Sequence, residues 1–145
     1  ARMQHIVWSH TKLGAVQFDL SCAGLPSMPD SIDPAAADRI RSALAARGIA
    51  MAALSGTFNM IHPDPAVRPL GLERLGVLIA VAHRMGAPLV TLCTGTRDPD
   101  DQWRGHPDNA TPEAWADLLA AMEAARSATE RLASACGEAS RSAAG

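Results

Sequence analysis

One phrase recurs along the chain and restricts what it can fold into: a helix-like stretch ends at Gly and a short apolar run follows at once. Gly14 leads into residues 15–20, Gly48 into 49–54 and Gly86 into 87–93. Glycine just past a helix end takes the left-handed conformation at low cost and turns the chain back toward a sheet. Helices alternating with short apolar strands imply βαβ units, a parallel sheet and an α/β fold.

The stretches before the glycines carry helical periodicity. Leu72, Leu75, Leu78, Ile79 and Ala82 recur at three- and four-residue steps, which lays one apolar stripe against a sheet. Another helix opens at Asp33-Pro34, a side-chain acceptor followed by proline at the first helical position, and packs through Ala36, Ile40, Ala43 and Leu44. A further one opens at Thr111-Pro112-Glu113 and puts Trp115, Leu118, Leu119, Met122 and Ala125 on one face. Residues 3–13 read as a helix with no strand before it. Gly137 is expected to end the last helix, but residues 138–145 hold no β-branched or aromatic residue, so they read as a disordered Ala/Ser/Gly tail. The predicted order is α-β-α-β-α-β-α, an interior slice of a longer alternating fold, with 1–137 as its structured part.

Charge and composition narrow the partners. Fifteen acidic against 13 basic side chains leave a net charge of −2, without the clustered basic excess that a nucleic-acid binder carries. The longest apolar runs, such as residues 77–82, are far short of the roughly 18 residues of a membrane span. No membrane partner and a cytoplasmic location are expected. Three widely spaced cysteines, Cys22, Cys93 and Cys136, form no CxxC and read as reduced thiols.

In parallel α/β folds the loops leaving the C-terminal strand ends open on one face and carry the site. Two such loops are rich in chemistry. One runs Ser55-Gly-Thr-Phe-Asn59-Met-Ile-His62-Pro-Asp64; the other runs from Cys93 through Arg97 and Asp98 to Trp103-Arg104-Gly-His106-Pro-Asp108-Asn109. Asn59, His62 and Arg97 offer directional hydrogen bonds to hydroxyls or a phosphate, and Trp103 offers a flat face for the C–H surface of a sugar ring. For Asn59, Thr94 and Asp98 turn fixing is the favoured reading, and for His62, Arg97 and Trp103 ligand binding is. His-Pro-Asp occurs at both 62–64 and 106–108, but loop His and Asp residues more often cap turns than bind metal, and no further ligand stands with them. Asp19 reads as a hydrogen-bonded structural carboxylate, and His83 beside Arg84 as a cation at a helix C-terminus.

With those loops quoted, the chain resembles a family. Residues 48–64, Arg68, the helix between Gly71 and Gly86, residues 89–97 and residues 103–109 together are similar to the sugar phosphate isomerase/epimerase family, the xylose-isomerase-like TIM barrels, which are related in fold to endonuclease IV. The resemblance covers nearly residues 1–136. It implies a partial (β/α)₈ barrel, about half of one that takes roughly 250 residues. It also implies a divalent metal, Mn²⁺ or Mg²⁺, that holds adjacent sugar oxygens while carboxylates move a proton beside a carbonyl. The family's metal-ligand Glu, Asp and His residues belong to later strands, so no metal ligand is assigned in this chain and no turnover is expected of it alone. Asn59, His62, Arg97, Trp103 and His106 are the substrate-binding candidates for a small sugar or sugar phosphate. The alternative is a non-catalytic sugar-binding or assembly fragment that completes a barrel with another chain, and open sheet edges suggest self-association.

Overall fold

The computed structural model describes the backbone of residues 14–142 and the side chains of residues 14–134; the expected helix at 3–13 lies outside them. Three parallel strands form one open sheet in the order β1-β2-β3: β1 (Ala15–Phe18), β2 (Ala50–Ser55) and β3 (Val90–Thr91). Helix α1 (Pro34–Ala45) joins β1 to β2, α2 (Arg68–Met85) joins β2 to β3, and α3 (Pro112–Ser142) follows β3. This is the sheet and helix order of a partial α/β barrel, as read from the sequence.

The glycine turns account for the crossovers. Gly86 has φ +82°, donates to the His83 carbonyl at 3.0 Å, and lets Ala87 N–H reach the Ala82 carbonyl at 2.9 Å. Those two bonds satisfy carbonyls that α2 leaves free and aim the chain at β3. At the start of α1, Asp33 Oδ1 accepts from Ala35 N–H at 2.9 Å and Pro34 holds the first helical position, as the Asp-Pro pair predicts.

Register fixes which residues face the helices. Val16 pairs with Met51 and Phe18 with Leu54, across an irregularity between Val16 and Gln17. Val16, Phe18, Met51 and Leu54 are buried against Ile40, Leu44, Leu78 and Met85 of α1 and α2. Complete burial of a leucine such as Leu54 or Leu78 contributes roughly 1.5–3 kcal/mol each. On the opposite sheet face Gln17 reaches across β2 to Thr91, its Nε2 donating to Oγ1 at 3.0 Å. A second cluster, Phe58, Met60 and Leu75 with Ala121 and Ala125, joins the loop after β2 to α2 and α3.

Several expectations are corrected. The first strand stops at Phe18 instead of residue 20, because Asp19 caps a 3₁₀ turn (Leu20–Ala23) by accepting from Ser21 N–H at 2.9 Å. The third strand is two residues long, not the seven of 87–93. Pro88 has no N–H for a ladder, and β3 pairs on one side only. In α1 the buried alanine is Ala37, not Ala36. α3 does not end at Gly137 but runs to Ser142; a mid-helix glycine costs only about 1 kcal/mol among strong helix formers. The backbone of 138–142 is therefore helical, while 143–145 lie outside the described residues.

The buried face of α3 also differs. Ala114, Ala121 and Ala125 are buried, whereas Trp115, Leu119 and Met122 are exposed. Of the predicted face, Ala125 and the partly buried Leu118 do pack on the second cluster and Met122 borders a cavity, while Trp115 and Leu119 stay on the outer side of the helix.

Two glycines of α2 make opposite predictions. A Cβ at Gly71 would collide with the Phe58 ring, whereas one at Gly76 would meet nothing within 4 Å. Gly71→Ala is expected to lower unfolding free energy by about 1–3 kcal/mol through overpacking. Gly76→Ala is expected to raise it by about 0.5–1 kcal/mol. Urea denaturation of both variants checks the pair.

Candidate functional site

All three strands run the same way, so the chain leaves each of them at one end of the sheet. The loop after β1 is tied to itself: Asp19 Oδ1 accepts from Ser27 Oγ at 2.7 Å as well as from Ser21 N–H. Burial works against its charge, but the hydrogen bonds from Ser27, Ser21 and Ser55 outweigh it and hold the Asp19 carboxyl below its usual range. Asp19 is the structural carboxylate that its sequence setting suggests.

The loops after β2 and β3 are clamped together. Asn59 Nδ2 donates to the Thr96 carbonyl at 2.8 Å, and Thr96 N–H donates back to Asn59 Oδ1 at 2.9 Å. This close approach requires glycine at 95, which sits at φ +78°, where any Cβ would collide with the Asn59 amide. Asn109 adds a second tie: its Oδ1 accepts from Arg97 N–H at 2.7 Å and Thr96 Oγ1 at 3.1 Å.

Deeper in the same junction, Asp117 of α3 is held by two guanidinium groups. Arg68 Nη1 lies 2.7 Å from Oδ1 and Arg97 Nη2 lies 2.5 Å from Oδ2. The same arginines donate to backbone carbonyls of the β2 loop, Arg68 Nε to His62 at 2.7 Å and Arg97 Nη1 to Ile61 at 3.1 Å. Hydrogen bonds from Arg68 and then Arg97 hold the Asp117 carboxyl below its usual range. Both arginine side chains are largely buried, so this network is a brace between α2, α3 and the two loops.

The five substrate-binding candidates fall in different places. Asn59, His62 and Trp103 line one cavity of about 480 Å³, together with Val67 and residues 98–102. Trp103 is 69% exposed and also borders a smaller cavity of about 200 Å³ with Thr94, Thr96, Arg104 and Asn109. Arg97 is absent from both cavity walls, because its guanidinium is committed to Asp117. His106 caps the 3₁₀ turn Pro107–Ala110, its Nδ1 accepting from Asp108 N–H at 3.3 Å, and likewise lines neither cavity. His62 accepts from Asp64 N–H through Nδ1 at 3.1 Å and stands 3.3 Å from the Pro99 carbonyl through Nε2. Nδ1 also stands 3.3 Å from the Asp64 carbonyl.

Residues outside the candidate set complete the cavity. Asp98 Oδ1 accepts from the N–H groups of Asp100 at 3.0 Å and Asp101 at 2.9 Å, and its Oδ2 pairs with Arg104 at 3.0 Å. Those two backbone bonds, then Arg104, hold its carboxyl below the usual range. Asp101 in turn accepts from Trp103 N–H at 2.9 Å, which fixes the backbone beneath the indole. The acidic run Asp98-Pro-Asp-Asp101 was visible in the sequence as the signal for these walls. Nothing local marked Asp117, which lies 20 residues beyond Arg97 and is brought to it by the turn into α3.

A further cavity, about 550 Å³, lies elsewhere, in the helical layer beside β3. Its lining includes Leu75, Ile79, Leu89, Met122 and Arg126. It is mainly apolar and shares no residue with the loop cavities. Among the described residues, no three His, Cys, Asp or Glu side chains come together as a metal site, and no helix is long and apolar enough to cross a membrane.

The brace makes a prediction with a definite sign. Asp117→Asn leaves two guanidinium groups without their shared carboxylate and is expected to cost about 1–3 kcal/mol at neutral pH. A carboxyl with a lowered folded-state pKa stabilises the fold above its unfolded pKa, and that stabilisation is lost as pH falls through the folded-state value. Thermal melts should therefore show wild type well above Asp117→Asn at pH 7, with the gap closing as the pH drops below the ordinary Asp range.

A family model described as xylose isomerase-like TIM barrel matches residues 11–136. No curated protein and no solved structure matches the chain.

Proposed function

The chain belongs to the xylose isomerase-like TIM barrel family, and from that premise we propose that it carries the sugar-binding mouth of a sugar isomerase or epimerase. The observation that carries this reading is the exposed indole of Trp103 over a cavity whose other walls are mostly hydrogen-bonding side chains, with Val67 and Pro99 between them, at the sheet end where such barrels hold their sites. An indole face packs against the C–H side of a sugar ring, while Asp100 and Asp101 accept from its hydroxyls. His62 stands at the same wall with its ring held by backbone contacts to Asp64 and Pro99.

The reaction of such enzymes moves a proton at the carbon beside a carbonyl. A divalent metal is the cofactor that the family implies, and it would polarise the sugar oxygens. The described residues do not fit that ion, since they assemble no set of three donors. DNA cleavage, the other chemistry suggested by the fold, suits this mouth less well, because its cavity is walled by aspartates where a phosphate backbone needs cations.

A second reading, a fragment that completes a barrel with another chain, is favoured by a different observation. Among the described residues β3 has a partner on one side only, and Leu89, Leu92, Trp115, Leu119 and Met122 are all exposed. Open strand edges and apolar patches of this kind promote association.

Each reading has its own test. Saturation-transfer NMR with neutral monosaccharides should show binding by wild type, weakened about ten-fold in Trp103→Ala by loss of the aromatic face; equal binding by that variant would contradict the proposed site. Light scattering should show concentration-dependent association that Leu119→Asp reduces. A monomer at every concentration would remove the second reading.

A further inference from the structure

The mouth holds three arginines that would suit a phosphate group, and all three are engaged. Arg68 and Arg97 share Asp117 at 2.7 and 2.5 Å, and neither lines the cavity. Arg104 pairs with Asp98 at 3.0 Å and lies 3.9 Å from Asp101; it is exposed and lines the smaller adjoining cavity, not the one walled by the aspartates. The charged walls of the cavity are instead Asp98, Asp100 and Asp101, so one guanidinium stands against three carboxylates.

The backbone repeats the message. A loop that binds phosphate aims successive N–H groups at the ligand. Here the N–H groups of Asp100 and Asp101 both point at Asp98 Oδ1, and that of Trp103 points at Asp101 Oδ1. The anion these amides would hold is already part of the protein. The start of α2 at Val67 also borders the cavity and carries no side-chain cap. A helix terminus supplies about half a positive charge, too little to offset the two carboxylates left after Arg104 is paired.

We propose that this cavity selects an unphosphorylated sugar and rejects the phosphate ester of the same sugar. The inference rests on the sugar-binding reading above and names its substrate class. Selection acts through repulsion: a dianionic ester must enter a cavity with excess negative charge, whereas hydroxyls donate to the same aspartates without penalty. A cationic ring should be accepted at least as well as a neutral one.

Three probes with one ring and three charges test it: glucosamine, glucose and glucose 6-phosphate, titrated calorimetrically into the whole chain at low ionic strength. The expected order of affinity is glucosamine, then glucose, then the phosphate, with the phosphate weaker than glucose by roughly ten-fold or more. The gap should narrow in Asp100→Asn, an exposed loop position, and in about 0.5 M salt. Glucose 6-phosphate binding as tightly as glucose, or more tightly, would overturn this inference and leave sugar binding standing. A gap unchanged in Asp100→Asn and in salt would overturn the charge argument. Failure of all three probes to bind would overturn the sugar-binding reading and this inference with it.

Discussion

β2 pairs in parallel with β1 on one side and β3 on the other, and parallel neighbours can be joined only by crossovers that carry the chain back to the same end of the sheet. That constraint places the helices and loops. α1 and α2 are the crossovers, and they bury the sheet face formed by Val16, Phe18, Met51 and Leu54. The loops after β2 and β3 emerge side by side, close enough for one asparagine amide to bond both backbone polar groups of Thr96. Without the parallel register, the residues lining the mouth would lie at opposite ends of the molecule.

Charge at that mouth is divided between structure and site. The Asp117 carboxylate accepts from both buried arginines and so ties α3 to the start of α2 and to the β3 loop, while the same arginines reach carbonyls of the β2 loop. Arg104 serves Asp98, whose carboxylate gathers the turn that carries Asp100, Asp101 and Trp103. The cationic groups are thus spent on holding loops in place. What faces the cavity is an indole, an imidazole and carboxylates, a set suited to hydroxyls.

The sequence was most legible where the cause of structure is local. Gly86 and the Asp33-Pro34 pair act within a few residues, and each produced the turn or cap that its chemistry implies. The parallel α/β class followed from the repeat of those signals. Long-range causes were less visible. Periodicity could not say which stripe of α3 meets α2, because alanines and large apolar residues share the helix and closeness of packing decided between them. Among the site residues, Asn59, His62 and Trp103 reached one cavity, whereas Arg97 was diverted by a carboxylate 20 residues away and His106 by the turn that it caps. An arginine in a loop looks the same in sequence whether it awaits a ligand or already holds an aspartate.

The central claim is that the clamped β2 and β3 loops form the ligand site. A ¹H–¹⁵N correlation spectrum recorded during titration with a neutral monosaccharide tests it most directly. The account predicts saturable shifts concentrated at the amides of Asn59, His62 and residues 98–103, with little change around Ile79, Leu89 and Met122. Shifts centred on the apolar cavity beside β3, or none at any concentration, would contradict it.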